Sequence, residues 1–211
     1  MKKIRVTAFA SGRGSNVEAI LKNIRTGHLD AEVVLVISNR SKAGVLEVAR
    51  RYGIPALHIS GIQFDSEEAY ADRLLQALHE HGTELVVLAG YLKKVPSVIV
   101  REYKNRILNI HPALLPSFGG KGLYGHFVHE AILEYGCRVS GATVHLVDDE
   151  YDTGSPIIQR CVPVLDDDTP DSLAARVLKV EHKIFSEAIQ LFAEGWIEIE
   201  GRKVRILRSD K

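Results

Sequence analysis

The stretch Ile4-Arg5-Val6-Thr7-Ala8-Phe9-Ala10-Ser11-Gly12-Arg13-Gly14-Ser15-Asn16 decides the fold. Ile4–Ala10 is a nearly continuous apolar run rich in β-branched residues, as a strand covered on both faces should be. Two glycines then turn the chain into a helical stretch, Asn16–Ile24. The strand pattern returns at Val33–Ile37, Leu85–Ala89 and Ile107–Ile110. Helical spacing returns at Ala43–Tyr52 and Ser66–His81, where Tyr70, Leu74, Leu75 and Leu78 share one face. Strands alternating with helices predict an α/β fold, an open and mostly parallel twisted sheet with right-handed crossovers and helices on both faces. Farther along, a helix is expected at Phe127–Tyr135 and strands at Ala142–Val147 and Ile157–Val164. A longer helix, Ser172–Phe192, is introduced by Thr169-Pro170-Asp171, with Pro suited to a first turn. Trp196–Glu200 and Lys203–Leu207 alternate around Glu200-Gly201-Arg202 and read as a terminal hairpin. With no linker, repeat or low-complexity tract, residues 1–211 read as one domain, a core over about 4–192 plus the hairpin at 196–207.

The composition suits such a domain and narrows its partners. Of 211 residues, 27 are Lys or Arg and 27 Asp or Glu, so no overall field draws the chain to nucleic acid or an anionic membrane. Cys137 and Cys161 lack metal-ligand spacing and read as small buried or half-buried apolar side chains. Ile4–Ala10 is too short for a signal peptide, and nowhere do 18 apolar residues run together, so the expected location is cytoplasmic.

In the turn after the first strand, Gly12 and Gly14 allow close backbone approach, and Ser15 and Asn16 put polar groups at a helix N-terminus, where the dipole favours an anion. A phosphate cradle and a purely structural polar cap both fit this pattern. A dinucleotide site fits poorly. The third glycine of its fingerprint falls at Val17, and the second strand ends in Ser38-Asn39-Arg40, with no acid for a ribose hydroxyl.

Asn109-Ile110-His111-Pro112 closes a strand. Residues two apart point the same way, so Asn109 and His111 project together at the carboxyl end, where open α/β sheets bind ligands. Pro112 ends the ladder. An amide donor beside an imidazolium suits an oxyanion formed during acyl transfer. The acidic loop Asp148-Asp149-Glu150-Tyr151-Asp152-Thr153-Gly154 could be a solvated turn or could bring a carboxylate to His111, raising its affinity for a proton. His126, His129 and Glu130 lack the His-Glu-x-x-His pattern of a metal helix, and His145 is expected beside the site in a hydrogen-bonded supporting role.

Gly14-Ser15-Asn16, Val87-Leu88-Ala89-Gly90-Tyr91-Leu92, Asn109-Ile110-His111-Pro112-Ala113-Leu114-Leu115-Pro116, Asp152-Thr153-Gly154 and Val180-Glu181-His182 occur in that order. Together they resemble the folate-dependent formyltransferase superfamily, and within it the phosphoribosylglycinamide formyltransferases, over residues from about 4 to about 192. The resemblance implies a Rossmann-like formyltransferase fold. It also implies formyl transfer from 10-formyltetrahydrofolate to the primary amine of glycinamide ribonucleotide in purine synthesis, without a metal. It assigns Asn109, His111 and Asp152 to catalysis, and Gly14, Ser15, Asn16 and Glu181 to the ribonucleotide. Leu92, Lys93, Lys94 and Val95, with Asn109 and Asp148, Asp149, Glu150, Tyr151 and Asp152, fall to the folate. The implied partners are these two small molecules, with no nucleic acid and no membrane; a homodimer is left open.

The chain departs from the family pattern in places: Lys93 stands where many members have Arg, Ala113 replaces a usual Ser, Gly replaces a frequent Pro within Phe118–Gly122, and Ser155 is an extra residue. Two relatives in the superfamily fit less well. A 10-formyltetrahydrofolate hydrolase usually carries an additional N-terminal domain, and a methionyl-tRNA formyltransferase a C-terminal barrel and a basic surface. A non-catalytic nucleotide-binding module would leave Asn109 and His111 without a task.

Overall fold

The computed structural model describes residues 3–207. The chain forms two compact units, the first ending at Leu108 and the second beginning at Asn109. The first unit runs β1 (Ile4–Phe9), α1 (Ser15–Arg25), β2 (Ala31–Ser38), α2 (Gly44–Arg51), β3 (Ala56–His58), α3 (Glu67–Glu80), β4 (Leu85–Leu88) and α4 (Ser97–Glu102). β5 (Ile107–His111) carries the boundary. The second unit continues with α5 (His126–Glu134), β6 (Val139–Leu146), β7 (Pro156–Pro163), α6 (Pro170–Ala193), β8 (Ile197–Glu200) and β9 (Lys203–Ile206).

The main sheet has the strand order β3-β2-β1-β4-β5-β6-β7, and β8 and β9 form a separate antiparallel pair. β1 pairs in parallel with β2 and with β4, and β2 in parallel with β3. β7 is antiparallel to β6. The α/β class, the mostly parallel sheet and the terminal hairpin are those expected from the sequence.

Burial explains the parallel strands. Leu85–Leu88 is buried throughout, and in Ala31–Ser38 only Glu32 is exposed, so neither strand shows polar alternation. In α3, Tyr70, Ala71, Leu74, Ala77 and Leu78 form the buried stripe, and Ser66 caps the helix by accepting the Ala69 N–H at 3.1 Å. α6 starts on a reciprocal cap in which Thr169 Oγ1 accepts the Ser172 N–H at 3.2 Å and Ser172 Oγ accepts the Thr169 N–H at 2.9 Å. Arg176 donates to both carboxylate oxygens of Asp168, at 2.6 and 2.8 Å, tying the preceding loop to the first turns of α6.

β3 and α4 were not read from the sequence. β3 is three residues of edge strand with Ala56 exposed, and α4 is a six-residue helix after Pro96. Neither is long enough to display a period. β6 starts at Val139 rather than Ala142 because Gly141 can lie in the strand: a Cβ there would meet the Arg160 carbonyl of β7 at 2.1 Å. Cys137 is half-buried as expected, but Cys161 is exposed, because its side chain falls on the solvent side of β7.

Candidate active site

In the first unit, the turn between β1 and α1 is tight because only glycine fits at its hinge. Gly14 has φ of 84°, and a Cβ there would lie 2.8 Å from the Val45 backbone. Gly14 is also the N-cap of α1 and provides no side-chain acceptor, so the helix N-terminus opens on backbone N–H groups rather than on a polar cap. Ser15 is half-buried and Asn16 is buried. Nearby, Ser11 Oγ donates to Asn39 Oδ1 at 2.6 Å and accepts the Leu92 N–H at 2.9 Å, linking the carboxyl ends of β1, β2 and β4. After Leu92, Lys93 and Lys94 are exposed and Val95 is buried.

The second unit brings together the three side chains that the sequence singled out for catalysis. His111 Nδ1 lies 3.5 Å from Asp152 Oδ2, and Asn109 Nδ2 donates to Asp152 Oδ1 at 3.3 Å. Asp152 reaches inward from an exposed loop because its backbone is left-handed, with φ of 57°, a conformation that Asp tolerates. The rest of that loop separates from it. Asp148 Oδ1 accepts the Glu150 N–H at 3.1 Å and the Thr153 hydroxyl at 2.6 Å, closing the turn on itself. Asp149, Glu150 and Tyr151 are exposed. Glu181 is buried on α6.

The electrostatics divide the roles. Burial opposes ionisation of Asp152, but the polar groups around it, the Gly120 N–H among them, outweigh it, and its pKa is lowered. Asp152 is therefore a carboxylate at neutral pH. His111 is 3% exposed, and desolvation lowers its pKa despite the attraction of Asp152 and a hydrogen bond to the Phe118 carbonyl. The free chain thus holds His111 largely neutral at pH 7, rather than permanently charged as the acidic loop alone would suggest.

Backbone groups that no sequence motif identifies complete the cluster. His111 Nε2 donates to the Phe118 carbonyl at 2.8 Å, and the Gly120 N–H donates to Asp152 Oδ2 at 2.9 Å. Phe118 adopts a left-handed φ of 55° to present that carbonyl. Thr143, fully buried, secures the segment between: its hydroxyl donates to the Ala113 carbonyl at 2.7 Å and accepts the Leu115 N–H at 3.1 Å. His145, 2% exposed, stands behind Asn109, within 3.0 Å of its amide nitrogen. An amide donor, a titratable imidazole and a fixed carboxylate within one cluster can stabilise an oxyanion and move a proton, the requirements of acyl transfer.

The formyl transferase family model matches residues 4–189. The chain belongs to the formyl transferase family. The chloroplastic phosphoribosylglycinamide formyltransferase of Arabidopsis thaliana is 43% identical over 198 residues, covering 93% of this chain and 68% of its own length. The crystal structure of glycinamide ribonucleotide transformylase 1 from Symbiobacterium toebii superposes with a TM-score of 0.92 at 44% identity, covering 98% of this chain and 95% of that one. A formyltetrahydrofolate deformylase from Pseudomonas syringae shares the fold at a TM-score of 0.87 but only 25% identity, and 66% of its length is covered.

In this formyl transferase, the other histidines have other surroundings. His126 Nε2 is 3.0 Å from Glu130 Oε1, one helical turn away. His129 is buried on α5, and its Nδ1 has no partner among the described residues. Among the described residues, no group of three or more His, Cys, Asp or Glu side chains is placed to hold a metal, and no helix is long and apolar enough to cross a membrane.

Proposed function

We propose that the chain transfers the formyl group of 10-formyltetrahydrofolate to the primary amine of glycinamide ribonucleotide, a step of purine synthesis, and that residues 1–211 act as one formyltransferase domain. The observation that carries this reading is the cluster in which Asn109 and His111 each reach Asp152 within 3.5 Å, in a chain 43–44% identical to formyltransferases acting on that ribonucleotide. The uncapped α1 N-terminus supports a phosphate at Gly14, Ser15 and Asn16. Glu181 takes part in holding the ribonucleotide. Leu92, Lys93, Lys94 and Val95, and the loop Asp148–Asp152, contribute to folate binding. Of these, Lys93, Lys94, Asp149, Glu150 and Tyr151 are exposed, whereas the Leu92 N–H is already given to Ser11.

The chemistry follows from the cluster. As the amine nitrogen bonds to the formyl carbon, the carbonyl electron pair moves onto oxygen. Asn109 Nδ2–H and His111 Nδ1–H hold that charge, and a preorganised donor of this kind is worth about 3–4 kcal/mol. His111 takes up a proton from solvent at Nδ1 as the oxyanion develops beside it, since a second negative charge next to Asp152 raises its proton affinity, and returns that proton to solvent when the carbonyl re-forms. Asp152 then assists the transfer of the amine's surplus proton to the departing N10 through water. The bond from the formyl carbon to N10 breaks, the carbonyl re-forms, and tetrahydrofolate leaves with that proton. No residue becomes acylated.

The test is consumption of 10-formyltetrahydrofolate with and without glycinamide ribonucleotide. Turnover that needs the amine and yields the formylated ribonucleotide is the expected result. Release of formate without the amine would move the chain to the deformylase reaction and overturn the proposal.

A further inference from the structure

The Asn109 side chain can serve an oxyanion only if its nitrogen, not its carbonyl oxygen, faces the reacting atoms. A primary amide is nearly symmetric in shape, so something must choose. We infer that His145 makes the choice and is a positioning residue for Asn109. The inference rests on the proposed function for its kinetic consequence.

The contacts that fix His145 start at the backbone. His145 Nδ1 lies 2.7 Å from the Leu146 carbonyl oxygen, which can only accept, so Nδ1 carries a proton. A neutral ring then has a lone pair on Nε2, and Nε2 lies 3.0 Å from Asn109 Nδ2. That lone pair accepts an amide N–H and would repel the amide oxygen. The second Asn109 N–H goes to Asp152 Oδ1 at 3.3 Å. Asp152 is the partner that can be exchanged for a developing oxyanion, while His145 keeps hold of the other hydrogen.

The anchor itself is built in. Gly154 lies against the Leu146 carbonyl so closely that a Cβ would sit 1.8 Å from the oxygen, and the Leu146 N–H is held by the Ser155 carbonyl at 2.9 Å. The β6–β7 register slips between Val144 and His145, so that Val144 faces Ile158 and His145 faces Pro156. Such an irregularity re-aims a side chain. His145 is 2% exposed, so water does not compete for either nitrogen. The competing arrangement has Nε2 protonated and donating to Asp152 Oδ1, 3.5 Å away, with the Asn109 amide reversed.

Two measurements decide between them. Long-range 1H–15N correlation spectra of the free chain at neutral pH should show His145 protonated on Nδ1 and unprotonated on Nε2. A proton on Nε2 would overturn the inference whether or not the proposed reaction is correct. The second measurement is a double-mutant cycle. His145→Leu should lower kcat about tenfold or more, below the 10²–10³ that losing an oxyanion donor outright costs, with both KM values within about twofold. His145→Gln, whose side-chain oxygen can accept the same N–H, should recover most of the rate and guards against a simple folding defect. In the Asn109→Ala background, His145→Leu should cost less than about twofold, because the donor it positions is gone. Equal losses in both backgrounds, or an unchanged kcat in His145→Leu, would overturn it. A wild-type chain inactive with both substrates would refute the proposed function and leave the tautomer to decide this inference.

Discussion

Acidification should unfold this protein partly through one histidine that the proposed chemistry does not use. His129 is 4% exposed, its Nδ1 has no partner among the described residues, and desolvation, with the charges of His126 and His111, lowers its pKa from 6.5 to about 4. The unfolded chain therefore takes up this proton first as the pH falls. Stability is complete above about pH 6.5 and is lost progressively down to about pH 4, by about 3 kcal/mol in all and about 2–3 kcal/mol at pH 4.5. His111 is shifted in the same direction, and the lowered carboxyl of Asp152 adds its own loss only below its ordinary value of 3.8. Comparison with His129→Leu isolates the one residue, because a leucine of similar bulk has nothing to titrate. Urea midpoints followed by circular dichroism at pH 7 and pH 4.5, multiplied by the measured slope, give the two stabilities for each protein. The wild type should lose about 2–3 kcal/mol more than the variant between these pH values. Equal losses would refute the reasoning, since His129 would then bind its proton alike in both states.

Other substitutions test the supports of the cluster and the turn between β1 and α1. Gly154→Ala should destabilise by about 1–3 kcal/mol or more, because its Cβ has no room beside the Leu146 carbonyl. Gly12→Ala, with nothing within 4 Å, should leave the urea midpoint nearly unchanged. Thr143→Val removes the hydroxyl shared by Ala113, Leu115 and Gln159 and should cost about 2–3 kcal/mol in the same assay. Ser15→Asp places a carboxylate at the α1 N-terminus, where it would occupy the position proposed for the substrate's phosphate. It should raise KM for the ribonucleotide about tenfold or more, with kcat held, in steady-state kinetics.

Much of this was legible in the sequence because the informative features are periodic or local. Val33–Ile37 and Leu85–Ala89 read as buried strands because they lack polar alternation, and they are buried. Asn109 and His111 share one side of β5 because strand side chains repeat every two residues, so their pairing needed no tertiary information. Asp152 was another matter: one of several acids in its loop, it is distinguished only by a left-handed backbone that turns it inward while Asp149 and Glu150 stay in water. The Phe118 carbonyl and the Gly120 N–H left no trace in residue types, since backbone groups are present everywhere and only the fold aims them. The charge state of His111 was equally hidden. A neighbouring carboxylate suggests a raised proton affinity, but burial outweighs it in the free chain. α4 and β3 were too short to show a pattern.

The most direct test of the central claim is the rate of amine-dependent formyl transfer, at saturating 10-formyltetrahydrofolate and glycinamide ribonucleotide, for the wild type and His111→Ala. Loss of His111 should lower kcat by about 10²–10³ and leave both KM values nearly unchanged, as for a group that acts only on the developing oxyanion. A variant that turns over at the wild-type rate would contradict the account, because the oxyanion would then be held by something other than the cluster around Asn109, His111 and Asp152.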